Sequence, residues 1–260
     1  MTMSMTEIER SLKILRLPGI RETLQTRSLQ ASQGNLAFMD VFALLLQDEL
    51  DRRKSKMIET RLKSSGLGET KTLAEFDWGF NPKVPKNECF ELMTLKFIQN
   101  GEDAILLGSP GTGKSHMAKA VAHAAIIASY RVIYREAHQL FPELHEATQL
   151  GMRQKKIKLF SQVDLVVIDD LFLRRKLTQD AADDLQEIIM NRYSAKKSTL
   201  VTSNRIIEDW GKCLGDNAVA SAILDRLLHH GNLLKFEGKS YRLKEAAQRL
   251  TGFAQQQNKA

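Results

Sequence analysis

Apolar residues recur at two different spacings along this chain, and the change of spacing divides it. From residue 5 to about 66 the recurrence is helical: Ile8, Leu12 and Leu15, a break at Pro18-Gly19 before a second helix near Arg21, then punctuation at Gly34-Asn35. A long helix is predicted next. It has Phe42, Leu45, Leu46, Leu50 and Met57 close to one face, residues 51–56 turned to solvent, and Gly66 and Gly68 at its end. Three helices of this size bury little by themselves, so the module is expected to dock on something. Residues 72–87, with Gly79, Pro82 and Pro85, have linker composition.

Beyond residue 87, short apolar runs at 104–107, 132–134, 165–168, 200–202 and 233–236 alternate with helical segments near 116–129, 139–151, 180–194 and 217–229. Runs apolar on both faces and separated by helices predict an α/β domain with a doubly wound, parallel five-stranded sheet. The expected division is a small N-terminal helical domain over 1–70 and the α/β domain over 71–260. No internal repeat is visible, and the Gln-rich stretch after Phe253 is expected to fray.

Composition narrows the setting. With 43% hydrophobic and 27% charged residues in 260, the chain reads as a soluble globular protein with one sizeable core and a smaller attached domain. Cys89 and Cys213 lie far apart without metal-ligand spacing, which suggests reduced thiols in a cytosolic protein. Glu7, Glu9, Arg10 and Lys13 interrupt the N-terminal apolar residues, so no signal-peptide core is present, and the apolar run at 41–46 is far too short for a membrane span. A cytoplasmic location without membrane contact is expected. The net charge of +7 favours polyanions such as nucleic acid, but solvated Lys/Arg faces produce the same sum.

One segment carries explicit chemistry. Gly108-Ser109-Pro110-Gly111-Thr112-Gly113-Lys114-Ser115 fits the phosphate-binding pattern G-x-x-x-x-G-K-[ST], between an apolar run and a helical pattern. Gly111 and Gly113 let successive N–H groups point inward at phosphate oxygens. Lys114 is placed to reach the β- and γ-phosphates of ATP, the Ser115 hydroxyl to ligate Mg²⁺, and the helix N-terminus to lie under the phosphates. His116 closes the binding stretch and is given no catalytic chemistry. The alternative is a glycine-rich turn with no ligand; a chance match is expected in about one chain of this length in a hundred.

Two strand ends extend the site. Residues 165–170 are an apolar run closing on Asp169 and Asp170. Were this strand adjacent to the phosphate loop, Asp169 would hold Mg²⁺ with Ser115, and Asp170 would polarise the attacking water. A strand ending at a polar turn is the bland alternative. Residues 199–204 end in Asn204, which suits a side chain that positions the water and the γ-phosphate, or simply a cap or turn residue.

The strand order and the loop resemble the AAA+ superfamily of P-loop NTPases, and within it the IstB/DnaC-like ATPases, the IstB transposition helpers in particular. The resemblance is carried by GSPGTGKSHMAKA, residues 165–170, Asn191-Arg192-Tyr193, Thr202-Ser203-Asn204, Trp210, the segment 222–230 (AILDRLLHH) and Ser240-Tyr241-Arg242. It extends upstream through TLAEFDW at 72–78 and the helix over 42–62, and so covers nearly the whole chain. Asp169-Asp170 replaces the Asp-Glu common among AAA+ relatives; the shorter side chain implies slow hydrolysis, or hydrolysis only after assembly.

The resemblance further implies a head-to-tail homo-oligomer with ATP at subunit interfaces and a rudimentary C-terminal lid. Arg226 matches the position of an arginine finger, with a surface pair to Asp225 as the alternative. Arg242 matches a second sensor or a structural arginine. Family members look like DNA-binding ATPases that select target sites and recruit a transposase. Arg153, Lys155, Lys156 and Lys158, and then Arg174, Arg175 and Lys176, are the candidate contacts to duplex DNA, although such a cluster taken singly is more often a solvated face than a contact. Backbone-directed, salt-sensitive binding follows. A DnaC-type helicase loader and a nucleotide-switched scaffold with little hydrolysis share the same core. Trp78, between Phe76 and Phe80, is expected to pack against the sheet more than to stack on adenine, and His229-His230 receive no chemistry.

Overall fold

Each apolar run becomes a strand because its branched and aliphatic side chains are covered on both faces by helices. The computed structural model describes residues 3–34, 36–173 and 176–257. The chain divides into two compact units, Met1–Thr60 and Arg61–Ala260.

The first unit holds α1 (Met5–Ile14), α2 (Pro18–Gly34) and most of α3 (Phe38–Ser65). Ser4 and Glu7 close a capping box at the start of α1. The second helix begins at Pro18, not near Arg21. Proline is tolerated in a first turn, and the buried Glu49 carboxylate caps that turn by accepting from Gly19 N at 2.6 Å. Gly19 allows this approach, since a Cβ there would meet Glu49 Cα at 2.6 Å. Among the described residues of this unit Ile20 is the only buried apolar side chain.

In the second unit a linker with a short 3-10 turn at Leu73–Glu75 leads to α4 (Lys86–Met93) and α5 (Lys96–Asn100). There follow β1 (Ala104–Gly108), α6 (Lys114–Ile127), β2 (Val132–Glu136), α7 (Ala137–Gln149), α8 (Arg153–Gln162), β3 (Leu165–Leu171) and α9 (Gln179–Ser194). The chain closes with β4 (Ser198–Ser203), α10 (Trp210–Leu214), α11 (Asn217–His229), β5 (Asn232–Phe236) and α12 (Tyr241–Gln257). All five strands are parallel, in the order β2-β3-β4-β1-β5. This is an α/β fold built on a parallel sheet of five strands. Among the described residues no helix is long and apolar enough to cross a membrane.

One expectation is corrected by this order. The acidic strand β3 does not border β1, because β4 lies between them. Every residue of β4 is buried, including the polar Ser198, Thr199, Thr202 and Ser203. Burial without a partner would cost each hydroxyl about 1–3 kcal/mol, and each has one: Ser198 donates to Phe97 O at 3.0 Å and Ser203 to Leu171 O at 2.8 Å.

The N-terminal ends of the strands are tied by Arg192 of α9, which is wholly buried. Its guanidinium donates to Phe160 O at 2.6 Å, Val163 O at 3.0 Å, Asp164 O at 3.3 Å and Thr199 Oγ1 at 3.1 Å, and also to Ser198 O. The planar fork suits several carbonyls at once, as a lysine would not. Burial lowers the guanidinium pKa to about 9 and raises that of Asp103, which accepts from Thr199 N at 2.6 Å, to about 6.

Arg192→Leu leaves these carbonyls without donors and is expected to cost about 3–5 kcal/mol, read as a lower urea midpoint. The pH dependence of Asp103 has a definite sign. Its pKa is raised on folding, so its contribution is present below 3.8 and is lost as pH rises through about 6. Asp103→Asn should therefore gain stability relative to wild type as pH rises across that window; parallel urea curves at both ends would contradict this.

Candidate functional site

The phosphate loop leaves β1 at Gly108 and enters α6 at Lys114. Gly113 has φ +108, a region L side chains rarely adopt, and a Cβ there would meet the Phe76 ring at 2.5 Å. Thr112 Oγ1 donates to Ser109 O at 2.8 Å across the turn, and Tyr241 N donates to Gly111 O at 2.9 Å from outside it. Lys114 Nζ is curled into the loop, donating to Gly108 O at 2.8 Å and Ser109 O at 2.9 Å. Burial pushes its pKa down, while Asp170 and Asp169 pull it back up. His116, the third residue of the helix, bonds Thr72 O through Nε2 at 2.8 Å and stands edge-on to Phe76.

Although β4 separates their strands, Ser115 and Asp169 meet: Ser115 Oγ donates to Asp169 Oδ1 at 3.0 Å. The start of α6 reaches over the β4 end to make this contact. Asp169 is buried and receives two further hydroxyls, Thr202 on Oδ1 and Tyr134 on Oδ2. Asp170 follows with φ 52, and its N–H donates to Thr202 Oγ1 at 2.9 Å. Burial raises the pKa of the Asp170 carboxyl, and the charge of Asp169 raises it further; Lys114 and Arg242 act the other way. Asn204 sits just past β4 with its Oδ1 buried and, among the described residues, without a hydrogen-bond partner.

These groups open on a cavity of about 520 Å³ whose walls include Lys114, Asp170, Asn204, Arg242, Phe76 and Phe80. Such a space, with backbone N–H groups at a helix start and a lysine, suits a polyanion with an attached ring system. Ser115 Oγ and Asp169 Oδ1 are hard oxygen donors of the kind Mg²⁺ takes. Among the described residues no three His, Cys, Asp or Glu side chains gather as a metal cage. The donor set therefore fits an ion that completes its shell with phosphate oxygens and water, the usual habit of Mg²⁺.

Trp78 does not line this cavity. It stacks on Phe90, with centroids 5.5 Å apart, and packs against Phe76. Arg226 also lies outside it. On α11 its Nη1 donates to Ala222 O at 2.8 Å and stands 3.6 Å from Asp225, with the guanidinium 6.0 Å from the Tyr193 ring centroid. Among the basic candidates, Arg153 is paired with Asp184 at 2.6 Å and Glu187 at 2.7 Å, and Lys156 with Glu143. Lys155, Lys158 and Lys176 are exposed, while Arg174 and Arg175 lie outside the described residues. Lys155 and Lys158 border a groove that also exposes Leu150, Met152 and Leu159.

Sequence reasoning missed Tyr134 and Thr202 as partners of Asp169. Each stands in a strand buried on both faces, Tyr134 as the one hydroxyl of β2 and Thr202 as one of four in β4, and a hydroxyl in such a strand was the available signal. Phe76 was noticed only as a neighbour of Trp78, not as the ring that closes over Gly113.

The profile of a family described as IstB-like ATP binding protein matches residues 10–249. An ATP-binding protein of insertion sequence IS5376 from Geobacillus stearothermophilus is 35% identical over 231 residues, 89% of this chain and 91% of the relative. The ATP-binding protein of insertion sequence IS21 from Pseudomonas aeruginosa is 34% identical over 241 residues, 93% of this chain and 90% of the relative. Among solved structures, AMPPCP-bound DnaA from Aquifex aeolicus matches with a TM-score of 0.55 at 24% identity, over 73% of this chain and 57% of that one. The DnaC helicase loader matches with a TM-score of 0.50 at 23% identity, over 66% and 97%. At these identities the two structures speak for the fold alone.

Gly113→Ala tests the close approach of the Phe76 ring to the loop. The strained φ and the contact together should cost about 1–3 kcal/mol. Phe76→Ala in the same chain should recover part of that loss, measured as non-additive shifts in the denaturant midpoint.

Proposed function

The chain belongs to the family of IstB-like ATP binding proteins, and from that premise we propose that it is an AAA+ ATPase that assembles on duplex DNA, selects the target site and recruits a transposase. The observation that carries the reading is the 3.0 Å contact of Ser115 with Asp169 at the mouth of a glycine-lysine loop that opens on a cavity of about 520 Å³.

In this reading the loop N–H groups and Lys114 hold the β- and γ-phosphates of ATP. Lys114 turns from the Gly108 and Ser109 carbonyls to do so. Ser115 and Asp169 would hold Mg²⁺, which supplies charge neutralisation to the β- and γ-phosphoryl oxygens. Asp170 takes up the proton side of the attacking water, and Asn204, whose Oδ1 lacks a partner, orients it against the γ-phosphate. Arg242 lines the same cavity and is the sensor for the phosphates. Arg226 cannot serve its own cavity, which it does not line; its part-exposed side chain on α11 suits the site of a neighbouring copy. For DNA, the exposed Lys155, Lys158 and Lys176 are the described phosphate contacts. Arg153 and Lys156 already have carboxylate partners on this chain.

A second reading, an ATP-switched scaffold that scarcely hydrolyses, is favoured by one observation. Asp170 is half-buried in left-handed backbone and has one methylene fewer than glutamate. Turnover measured with and without duplex DNA separates the two: no turnover in either condition selects the scaffold.

Lys114→Ala should weaken ATP binding about ten- to a hundredfold, as expected for loss of a charge-assisted contact. Arg226→Ala should bind ATP like wild type, yet lose about 10³-fold or more in turnover by the DNA-bound assembly. Calorimetry and phosphate release read the two effects. Wild-type turnover by assembled Arg226→Ala protein would remove the arginine from the mechanism.

A further inference from the structure

Asp169 is held from both neighbouring strands as well as from the loop. Tyr134, buried on β2, donates its hydroxyl to Oδ2, and Thr202, buried on β4, donates to Oδ1. The Thr202 oxygen in turn accepts the Asp170 N–H at 2.9 Å, which fixes the direction of its own proton. Ser115 is the third donor, at 3.0 Å, and the only one on the phosphate loop. When Ser115 turns its lone pairs to an ion, the strand hydroxyls are left to orient the carboxylate.

We propose that Tyr134 and Thr202 are positioning residues that hold Asp169 with Oδ1 presented to the ion beside Ser115. The proposal rests on the reading of the site given above. Two features suit the pair to this task. Both are neutral, so they orient the carboxylate without cancelling the charge that attracts the ion, as a lysine or arginine partner would. Both stand on strands flanking β3 and are wholly or nearly wholly buried, so they bring fixed geometry that loop side chains lack. Asp169 is only 2% exposed, so water does not readily replace a lost donor. Removing the Tyr134 hydroxyl deprives Oδ2 of this donor and leaves the carboxylate plane free to turn about its last torsion.

The test separates orientation from packing by titrating Mg²⁺ against binding of a fluorescent ATP analogue, with a parallel titration in EDTA. Tyr134→Phe and Thr202→Val keep shape and lose only a hydroxyl or its equivalent, while Thr202→Ser keeps the donor. In Tyr134→Phe and Thr202→Val the half-saturating Mg²⁺ should rise about tenfold or more, with metal-free affinity within about twofold of wild type and Thr202→Ser close to wild type. An unchanged Mg²⁺ requirement in Tyr134→Phe, or an equal loss with and without metal, overturns the positioning role. Should Tyr134→Phe fail to fold, Thr202→Val against Thr202→Ser decides by the same readout. A wild-type chain that binds no analogue in either condition overturns the reading of the site itself. Wild-type metal-assisted binding with insensitive variants overturns only the role of the two hydroxyls.

Discussion

A carboxylate buried at the tip of a central strand is costly unless donors surround it, and Asp169 is such a group. The surrounding structure can be read as the means of supplying them. A donor arrives from β2, another from β4 and a third from the first turn of α6. Only a sheet with β3 between β2 and β4 offers the first two, and only a helix starting from β1 and crossing the β4 end offers the third. Lys114, one residue before the third donor, supplies the nearby positive charge whose own burial would otherwise be unfavourable. Loop, strand order and acid thus satisfy one electrostatic requirement together.

The two ends of the sheet are built to opposite purposes. At the N-terminal end Arg192 gathers carbonyls from the α8–β3 connection and from β4 into one buried cluster, so those strand ends are fixed relative to each other. At the C-terminal end the backbone departs from regular geometry. Asp170 and Phe172 both have positive φ, at 52 and 65, and the β3–β4 register shifts between Ile168 and Leu171. Each such residue costs about 1–2 kcal/mol. The Phe172 ring, 1% exposed and edge-on to Trp210 at 5.0 Å, buries enough apolar surface to offset its share. Asp170 is held by the Thr202 hydroxyl on its N–H and by Leu173 N on its carbonyl at 3.1 Å, so part of its strain is held in place by the same residue that grips Asp169.

What the sequence made legible follows from whether a signal is local. The phosphate loop is eight contiguous residues whose chemistry is set by type and spacing, and the five apolar runs mark strands because burial on both faces admits little else. The observed strands run one to three residues beyond those runs, since Ser198, Thr199 and Ser203 are polar yet buried on tertiary partners. Helix α8 escaped notice because Ile157 and Phe160 are its only buried residues among lysines and glutamines. Helix α4 begins at the end of the stretch that proline and glycine marked as a linker. The adjacency of β3 to β1 was an inference about strand order, which no local pattern encodes. Tyr134 and Thr202 were illegible for the same reason: a hydroxyl in a hydrophobic run acquires its meaning only when the strand beside it is known. Arg153 and Lys156 looked like free cations because their carboxylate partners lie 31 and 13 residues away.

The position of β4 bears on how the proposed ATPase would work. The strand carries Thr202, which holds both acids, and two residues later the chain reaches Asn204, which lines the cavity. Asp169 and Asp170 on β3 and Asn204 just past β4 are therefore all tied to one strand, pinned at its other end by Arg192 through Ser198 and Thr199. Such an element moves as a unit or not at all. A disturbance felt at the β4 tip would reach all three groups together and, through the pairing of Leu107 with Ser203 and the Ser115 contact with Asp169, the phosphate loop as well. In the proposed ATPase the groups for binding and for hydrolysis would thereby be linked through β4. With Arg226 outside its own cavity, the proposed reading has the chain hold ATP alone and cleave it only beside a second copy, whose arrival β4 would pass to all of these groups.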